Sequence, residues 1–250
     1  MFDQRFVDQL PAFDRYVEPF LGGGAGYFAL RPASALLADV NEELINLYRQ
    51  VAAEPQLISD GLERLAKKHS KTFYYEMRAS KPSYPLDRAL RTLYLNRTCW
   101  NGLYRLNKQG IFNVPIGTKD KVKLLTDDFV GISELLKNAV LLVSDFEKVL
   151  SETGRGDLVF IDPPYTVKHN MNGFLKYNES IFTWADQERL AIAATLASKR
   201  GAHVIVANAD HSSIHELYRG SRRLVSLPRS SVLAASAQYR SKTTELLITL

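Results

Sequence analysis

A single cysteine, Cys99, stands in 250 residues, so neither an internal disulfide framework nor a cysteine-built zinc cluster is possible within one chain. No apolar run approaches the ~20 residues that span a bilayer. The start, Met1-Phe2-Asp3-Gln4-Arg5, lacks the charged-then-apolar pattern of a secretion signal. The expected location is therefore the cytoplasm, with no membrane and no metal involved. Internal repeats and low-complexity tracts are absent as well, which excludes repeat arrays. What remains is an ordinary globular composition, 46% hydrophobic and 24% charged. At this length the chain can bury a full core, as one domain with an insertion or as two small ones.

The net charge of +5 is modest, but it is unevenly placed. Residues 60–123 hold 14 Lys and Arg against 5 Asp and Glu, while the rest of the chain is net acidic. A basic middle carried by an acidic remainder is the footprint of a polyanion contact, although a solvated helical face has the same composition.

The most informative stretch is Asp162-Pro163-Pro164-Tyr165, at the end of the apolar run Leu158-Val159-Phe160-Ile161. Two prolines fix their own φ and donate no backbone hydrogen bonds, and Pro163 biases Asp162 toward an extended conformation. A carboxylate, a carbonyl and an aromatic ring are thereby presented together where a strand ends, the edge at which α/β sheets bind ligands. Such a group has two acceptors and a flat face but no nucleophile. It suits a planar amine such as the exocyclic amino group of adenine. Two acceptors on its hydrogens favour a more tetrahedral nitrogen with its lone pair free, while the ring stacks on the base.

Near the N-terminus, a short helix carrying Phe2, Phe6, Val7 and Leu10 precedes a strand, Arg15-Tyr16-Val17-Glu18-Pro19-Phe20. That strand enters the turn Gly22-Gly23-Gly24-Ala25-Gly26. A helix follows and stops at Pro32, and a second strand, Leu36-Leu37-Ala38, finishes on Asp39. Glycines let the backbone approach a ligand, and an acid closing the second strand accepts ribose hydroxyls. The pattern points to an adenosine-type cofactor. NAD and S-adenosylmethionine both fit it, although the dinucleotide spacing G-x-G-x-x-G is missing.

Asn41 caps a helix with Glu42 and Glu43 in its first turn, and from about Glu54 the chain reads as helical and basic up to a strand at Val140. Its centre interleaves arginines, amides and aromatics: Arg97, Trp100, Asn101, Leu103, Tyr104 and Arg105, then Phe112, Asn113 and Pro115. Arg pairs bidentately with guanine and Asn with adenine in the major groove, and an aromatic fills the gap left by an extruded base, although Trp100 and Tyr104, four apart, equally serve as core contacts of a helix. Asp145-Phe146, closing the Val140 strand, offers either a contact to a cofactor's adenine or a helix cap followed by a core residue. Thr183 caps a helix that Gly201 closes. A strand from His203 follows, and His211 reads as a loop residue. Two last strands flank a Ser-rich loop in which Arg229, Arg240 and Lys242 suit phosphates.

These motifs, in this order and from about Asp14 onward, resemble the Dam-like (D12 class) DNA adenine-N6 methyltransferases. They are Tyr16 to Gly24, Ala38-Asp39-Val40-Asn41, Leu95-Asn96-Arg97 through Arg105, Phe112 to Gly117, and Asp162 to Tyr165. The resemblance implies an α/β fold: a Rossmann-like class I S-adenosylmethionine-dependent methyltransferase sheet with a reversed final strand. Residues 1–53 and 136–250 would be the catalytic domain and 54–135 a helical target-recognition insertion. Glu18, Pro19, Phe20, Gly22, Gly23, Gly24 and Asp162 would hold S-adenosylmethionine, with Asp39 on its ribose and Asp145 and Phe146 on its adenine. Asp162, Pro163, Pro164 and Tyr165 would hold a flipped adenine. Arg97, Trp100, Asn101, Leu103, Arg105, Asn113 and Pro115 would meet double-stranded DNA, with Arg105 on a guanine of a GATC-like site. A monomer is expected.

Two departures qualify the resemblance. No Gly-Gly-Lys segment lies before Tyr16, so either an upstream start or weaker cofactor binding is expected. Thr118 stands where GATC readers carry an Arg, which relaxes discrimination by roughly 1–3 kcal/mol. An NAD-dependent oxidoreductase shares the glycine turn and Asp39 but leaves the Asp-Pro-Pro-Tyr stretch unexplained. A DNA-binding remnant without activity and an RNA adenine methyltransferase are the other readings.

Overall fold

The computed structural model describes residues 4–102, 105, 111–167, 182–229 and 243–250. Its first elements are α1 (Gln4–Val7), β1 (Arg15–Glu18), α2 (Ala25–Leu30) and β2 (Ala35–Asp39). Helices α3 (Glu42–Ala53), α4 (Pro55–Lys68), α5 (Lys71–Ala79) and α6 (Pro85–Thr98) follow, then a 3-10 turn at Trp100–Gly102 and α7 (Phe129–Leu136). After β3 (Ala139–Val143) come α8 (Phe146–Ser151), β4 (Asp157–Ile161), α9 (Trp184–Lys199) and β5 (His203–Ala209). The chain ends with α10 (Ser212–Leu217), β6 (Arg223–Arg229) and β7 (Thr243–Thr249). None of the described helices is long and apolar enough to cross a membrane.

Two compact units divide the chain, one from Met1–Val40 with Ser144–Leu250 and one from Asn41–Val143. The second is larger than the 54–135 insertion that the resemblance implies, because it also takes in α3 and β3.

Six of the seven described strands belong to the first unit, in the order β2-β1-β4-β5-β7-β6. Strands β2, β1, β4 and β5 are parallel, with Val17 opposite both Leu36 and Val159, and Ile161 opposite Val206. Every residue of β4 is buried, which is why it reads as a continuous apolar run rather than an alternating one. Strand β7 runs antiparallel to both β5 and β6, the reversed strand that the resemblance implies. Because the chain crosses from β2 over β1 to β4, the strand order reverses at β1. The carboxyl ends beside it form the crevice in which such sheets take ligands. Glu18, Asp39 and Asp162 all lie at this edge. At the opposite edge Arg15 clamps β1 to β4, its Nε 2.8 Å from Asp157 Oδ1 and its Nη2 2.9 Å from Oδ2.

Helix α9 starts on a capping box, Thr183 accepting from the Asp186 N–H while Asp186 accepts from the Thr183 N–H. Gly201 follows it with φ 95°, the left-handed conformation that ends helices. His211 is not a free loop residue. It is the N-cap of α10, where its side chain accepts from the Ser213 N–H.

In the second unit Asn41 caps α3 by accepting from the N–H groups of Glu43 and Leu44. Arg88 of α6 reaches Glu42 and Glu43, each at 2.7 Å. Ile58, Leu62, Tyr74, Tyr94 and Leu95 are buried and form the core of the helical layer. The Tyr74 hydroxyl donates to the Val114 carbonyl at 3.0 Å, which ties the segment after residue 110 to this core.

Candidate active site and nucleic-acid interface

A cavity of about 1370 Å³ opens in the first unit, lined by the end of β1, the glycine turn, Asp162, Tyr165 and Glu245. The turn follows from its sequence. Gly22 and Gly24 have φ of 48° and 66°, a region costly for other residues. The Gly22 N–H donates to Asp39 Oδ2 at 3.1 Å, which joins the turn to the end of β2. A Cβ built on Gly22 or Gly23 meets nothing within 4 Å, so the two glycines leave open cavity space where side chains would project.

Glu18 is 3% exposed, and its Oε2 accepts the Tyr27 N–H at 3.3 Å. It thereby satisfies the first turn of α2, whose N-cap, Gly24, has no side chain to do so. Burial pushes the Glu18 carboxyl up to about 8 against the pull of Tyr16 and Tyr27, and the charge of Asp162 adds to the rise. The buried Tyr16 hydroxyl beside it makes no hydrogen bond of normal geometry.

Phe20 is half-buried, stacked on Phe146 at 5.3 Å and edge-on to Phe182 at 5.6 Å. Phe146 itself is buried, with the Arg189 guanidinium 4.7 Å from its centroid. Asp145 caps α8 and bonds Arg189 at 2.8 Å. Of the residues expected around a cofactor, Glu18, Phe20, Gly22, Gly23, Gly24 and Asp162 line the cavity. Pro19, Asp39, Asp145 and Phe146 are not among its lining residues.

Asp162 is exposed at the cavity while Pro163 is buried and Pro164 half-buried. The stretch is anchored from behind. Gln187 of α9, fully buried, donates to the Pro164 carbonyl at 3.5 Å and accepts from Asn208 Nδ2 at 3.0 Å. Asn208 in turn accepts the Ala209 N–H at 2.8 Å. Thr166 donates to the Phe182 carbonyl at 2.6 Å. The Tyr165 hydroxyl donates to Glu245 Oε1 on β7 at 3.0 Å. Sequence reasoning missed Gln187, Asn208 and Glu245. The one local signal was Glu245 itself, an acid within the strand Thr-Thr-Glu-Leu-Leu-Ile-Thr.

The second unit carries the residues expected to meet nucleic acid. Cys99 and Ile116 form an antiparallel bridge, the Trp100 N–H donates to the Pro115 carbonyl at 2.9 Å, and the Gly117 N–H donates to the Thr98 carbonyl at 2.8 Å. Only glycine fits at 117, since a Cβ there would lie 2.5 Å from the Cys99 carbonyl oxygen. Asn101 holds φ 55° without being glycine, a left-handed conformation that Asn tolerates better than most side chains. The turn it forms leaves Trp100 half exposed at 50%. Arg105 donates from Nε to Asn113 Oδ1 at 2.8 Å, and both Asn113 and Pro115 are exposed. Leu103, Tyr104, Arg240 and Lys242 lie outside the described residues.

Arg97 sits differently from the solvent-facing reader its sequence neighbours lead one to expect. It is 15% exposed and bonds both oxygens of Asp127, at 2.7 and 2.6 Å, as well as the Val122 carbonyl at 2.8 Å. Asp127 also accepts the Leu124 N–H at 2.9 Å. Replacing Arg97 by Ala would strand a buried carboxylate, at an expected cost of about 3–5 kcal/mol of stability in urea unfolding. Wild-type stability in that variant would return Arg97 to a purely DNA-facing role.

The profile of the D12 class N6 adenine-specific DNA methyltransferases matches residues 4–231. The chain belongs to that family. Among relatives of this D12 methyltransferase, a Type II methyltransferase of Lactococcus lactis subsp. cremoris, M1.LlaDCHI, is 33% identical over 246 residues, covering 95% of this chain and 86% of the relative. The Type II methyltransferase M.MjaIII of Methanocaldococcus jannaschii is 34% identical over 224 residues, 82% and 78% of the two chains. The DNA adenine methylase of Escherichia coli K12 is 30% identical over 242 residues, 95% and 87%. Membership of a methyltransferase family implies S-adenosylmethionine as the methyl source. The cavity suits it, because the glycine turn leaves space for a ligand and a buried acid stands beside that space.

Proposed function

We propose that the protein methylates adenine N6 at a specific site in duplex DNA, acting as a monomer in the cytoplasm, with the target base extruded into the first unit. The observation that carries this reading is a single cavity lined by Glu18, the glycine turn, Asp162 and Tyr165. When bound, S-adenosylmethionine supplies an electrophilic methyl group on a positively charged sulfur. Glu18, Phe20, Gly22, Gly23 and Gly24 would hold it, Asp39 would take its ribose, and Phe146 would back the Phe20 ring against its adenine, with Asp145 steadying that helix end.

The chain's own chemistry lies at Asp162. The adenine amine is a weak nucleophile because its lone pair is delocalised into the ring. The Asp162 carboxylate and the Pro163 carbonyl accept its two hydrogens, which favours a tetrahedral nitrogen and stabilises positive charge as it develops there. Tyr165 stacks on the base. No residue is required to form a covalent bond.

In the second unit Trp100, Asn101, Leu103, Arg105 and Pro115 are proposed to meet DNA. Among the described residues Asn113 accepts from Arg105 Nε, and the terminal guanidinium nitrogens would face a guanine. We propose a GATC-like site, read less stringently because Thr118 replaces an arginine. The test is methyl transfer from labelled S-adenosylmethionine to unmethylated genomic DNA, followed by mapping of the modified adenines. One enriched motif is the expected result. Methylation of RNA alone, or none by protein that binds both ligands, would overturn the reading.

A further inference from the structure

We infer that Glu245 is a positioning residue for the target base, acting through the Tyr165 hydroxyl. The inference rests on the reading of Tyr165 as the stacking platform for an extruded adenine. A platform is useful only if its plane is fixed, and a tyrosine that ends a strand is free to turn about two side-chain torsions. Here its far end is tied, with the hydroxyl donating to Glu245 Oε1 at 3.0 Å.

The anchor is itself rigid. Glu245 lies opposite Ala209 on one side and Leu227 on the other, so its backbone is held by ladders from both β5 and β6. Tyr165 lies four residues past the end of β4 at Ile161, and β5 stands between β4 and β7. The hydrogen bond therefore spans the strand between them and ties the ring to the sheet, in addition to the hydroxyl's interaction with Asp162 in its own loop. Burial pushes the Tyr165 phenol well up, and the charges of Asp162 and Glu245 act in the same direction, so it stays protonated and remains the donor.

The reach of this contact extends to the chemistry. As nitrogen attacks, positive charge grows on the amine, and an aromatic face lying flat against it stabilises that charge. Tilting the ring weakens both the stacking and this electrostatic help, whereas cofactor binding at the glycine turn is left alone.

The experiment is a double-mutant cycle on the full chain, comparing Glu245→Ala, Tyr165→Phe and their combination, with Glu245→Gln as a rescue. A duplex carrying 2-aminopurine at the mapped target adenine reports stacking of the extruded base through its fluorescence. Glu245→Ala and Tyr165→Phe are each expected to lower kcat by roughly 10- to 100-fold and to change the 2-aminopurine signal. The double variant should be no worse than either single one. Glu245→Gln, whose amide oxygen still accepts, should recover most of the activity, and S-adenosylmethionine affinity should stay unchanged in all of them. Additive losses, or a Glu245→Ala enzyme with wild-type kcat and signal, would overturn the inference. If Tyr165→Ala also leaves the signal unmoved, then the stacking role of Tyr165 fails first, and the two failures are told apart.

Discussion

Asp162→Ala is expected to lower kcat for adenine methylation by at least ~10²–10³-fold, the loss typical of removing one preorganised group from the site of developing charge. S-adenosylmethionine affinity, measured by calorimetry, should change little, because the glycine turn and Glu18 remain in place. The size of the effect follows from the nucleophile. Without the carboxylate, one amine hydrogen loses its acceptor and the nitrogen keeps its lone pair in the ring. The charge that appears on attack is then left without a nearby anion. Asp162→Asn should fall between the two, since its amide oxygen accepts a hydrogen bond but carries no charge. Single-turnover kinetics with excess enzyme separates this chemical step from DNA binding and product release. Near-normal turnover in Asp162→Ala would remove the carboxylate from the mechanism.

The parts of the site legible in the sequence were those whose chemistry is local. Gly22 to Gly24, Asp39 and Asp162 to Tyr165 are short runs whose backbone preferences and functional groups can be read without knowing what packs against them. The strands carrying them are likewise marked by apolar runs that stop on an acid. The supporting groups were not legible, because their meaning depends on partners far along the chain. Tyr165 and Glu245 are 80 residues apart, and only the register of β7 between β5 and β6 brings them together. Gln187 looks like one polar residue on a helix until Asn208 and the Pro164 carbonyl are placed around it. Arg97 has the surroundings of a DNA contact in sequence, yet Asp127, 30 residues later, claims its guanidinium. A basic, amide-rich stretch thus reveals its ligand class without revealing which of its cations are already used.

Glu18→Gln is expected to make the protein more stable at alkaline pH while weakening cofactor binding. The carboxyl stands at about 8 in the folded state, against an ordinary value of 4.5, chiefly because it is buried. A raised value means that the folded protein keeps a proton which the unfolded chain releases. The stabilisation from that proton is fully present below about pH 4.5 and is lost as pH rises through about 8. Glutamine keeps the size and an acceptor for the Tyr27 N–H but cannot ionise, so the variant escapes the loss. At about 1.4 kcal/mol per pKa unit, the advantage reaches several kcal/mol. A Tm gap of roughly 8–16 °C should therefore open between pH 5 and pH 9. Binding runs the other way. An ionised Glu18 favours a cationic ligand, so wild-type affinity for S-adenosylmethionine should rise with pH up to about 8 and protons should be released on binding. In Glu18→Gln the affinity should be lower and nearly flat with pH. The uncharged sulfur of S-adenosylhomocysteine should feel the substitution less. Because the charge of Asp162 helps to raise Glu18, Asp162→Ala should shift the wild-type stability loss to lower pH. Parallel stability curves for Glu18→Gln and wild type across this range would mean that Glu18 is ionised in the free protein, and the link between its burial and the cofactor's charge would fail with it.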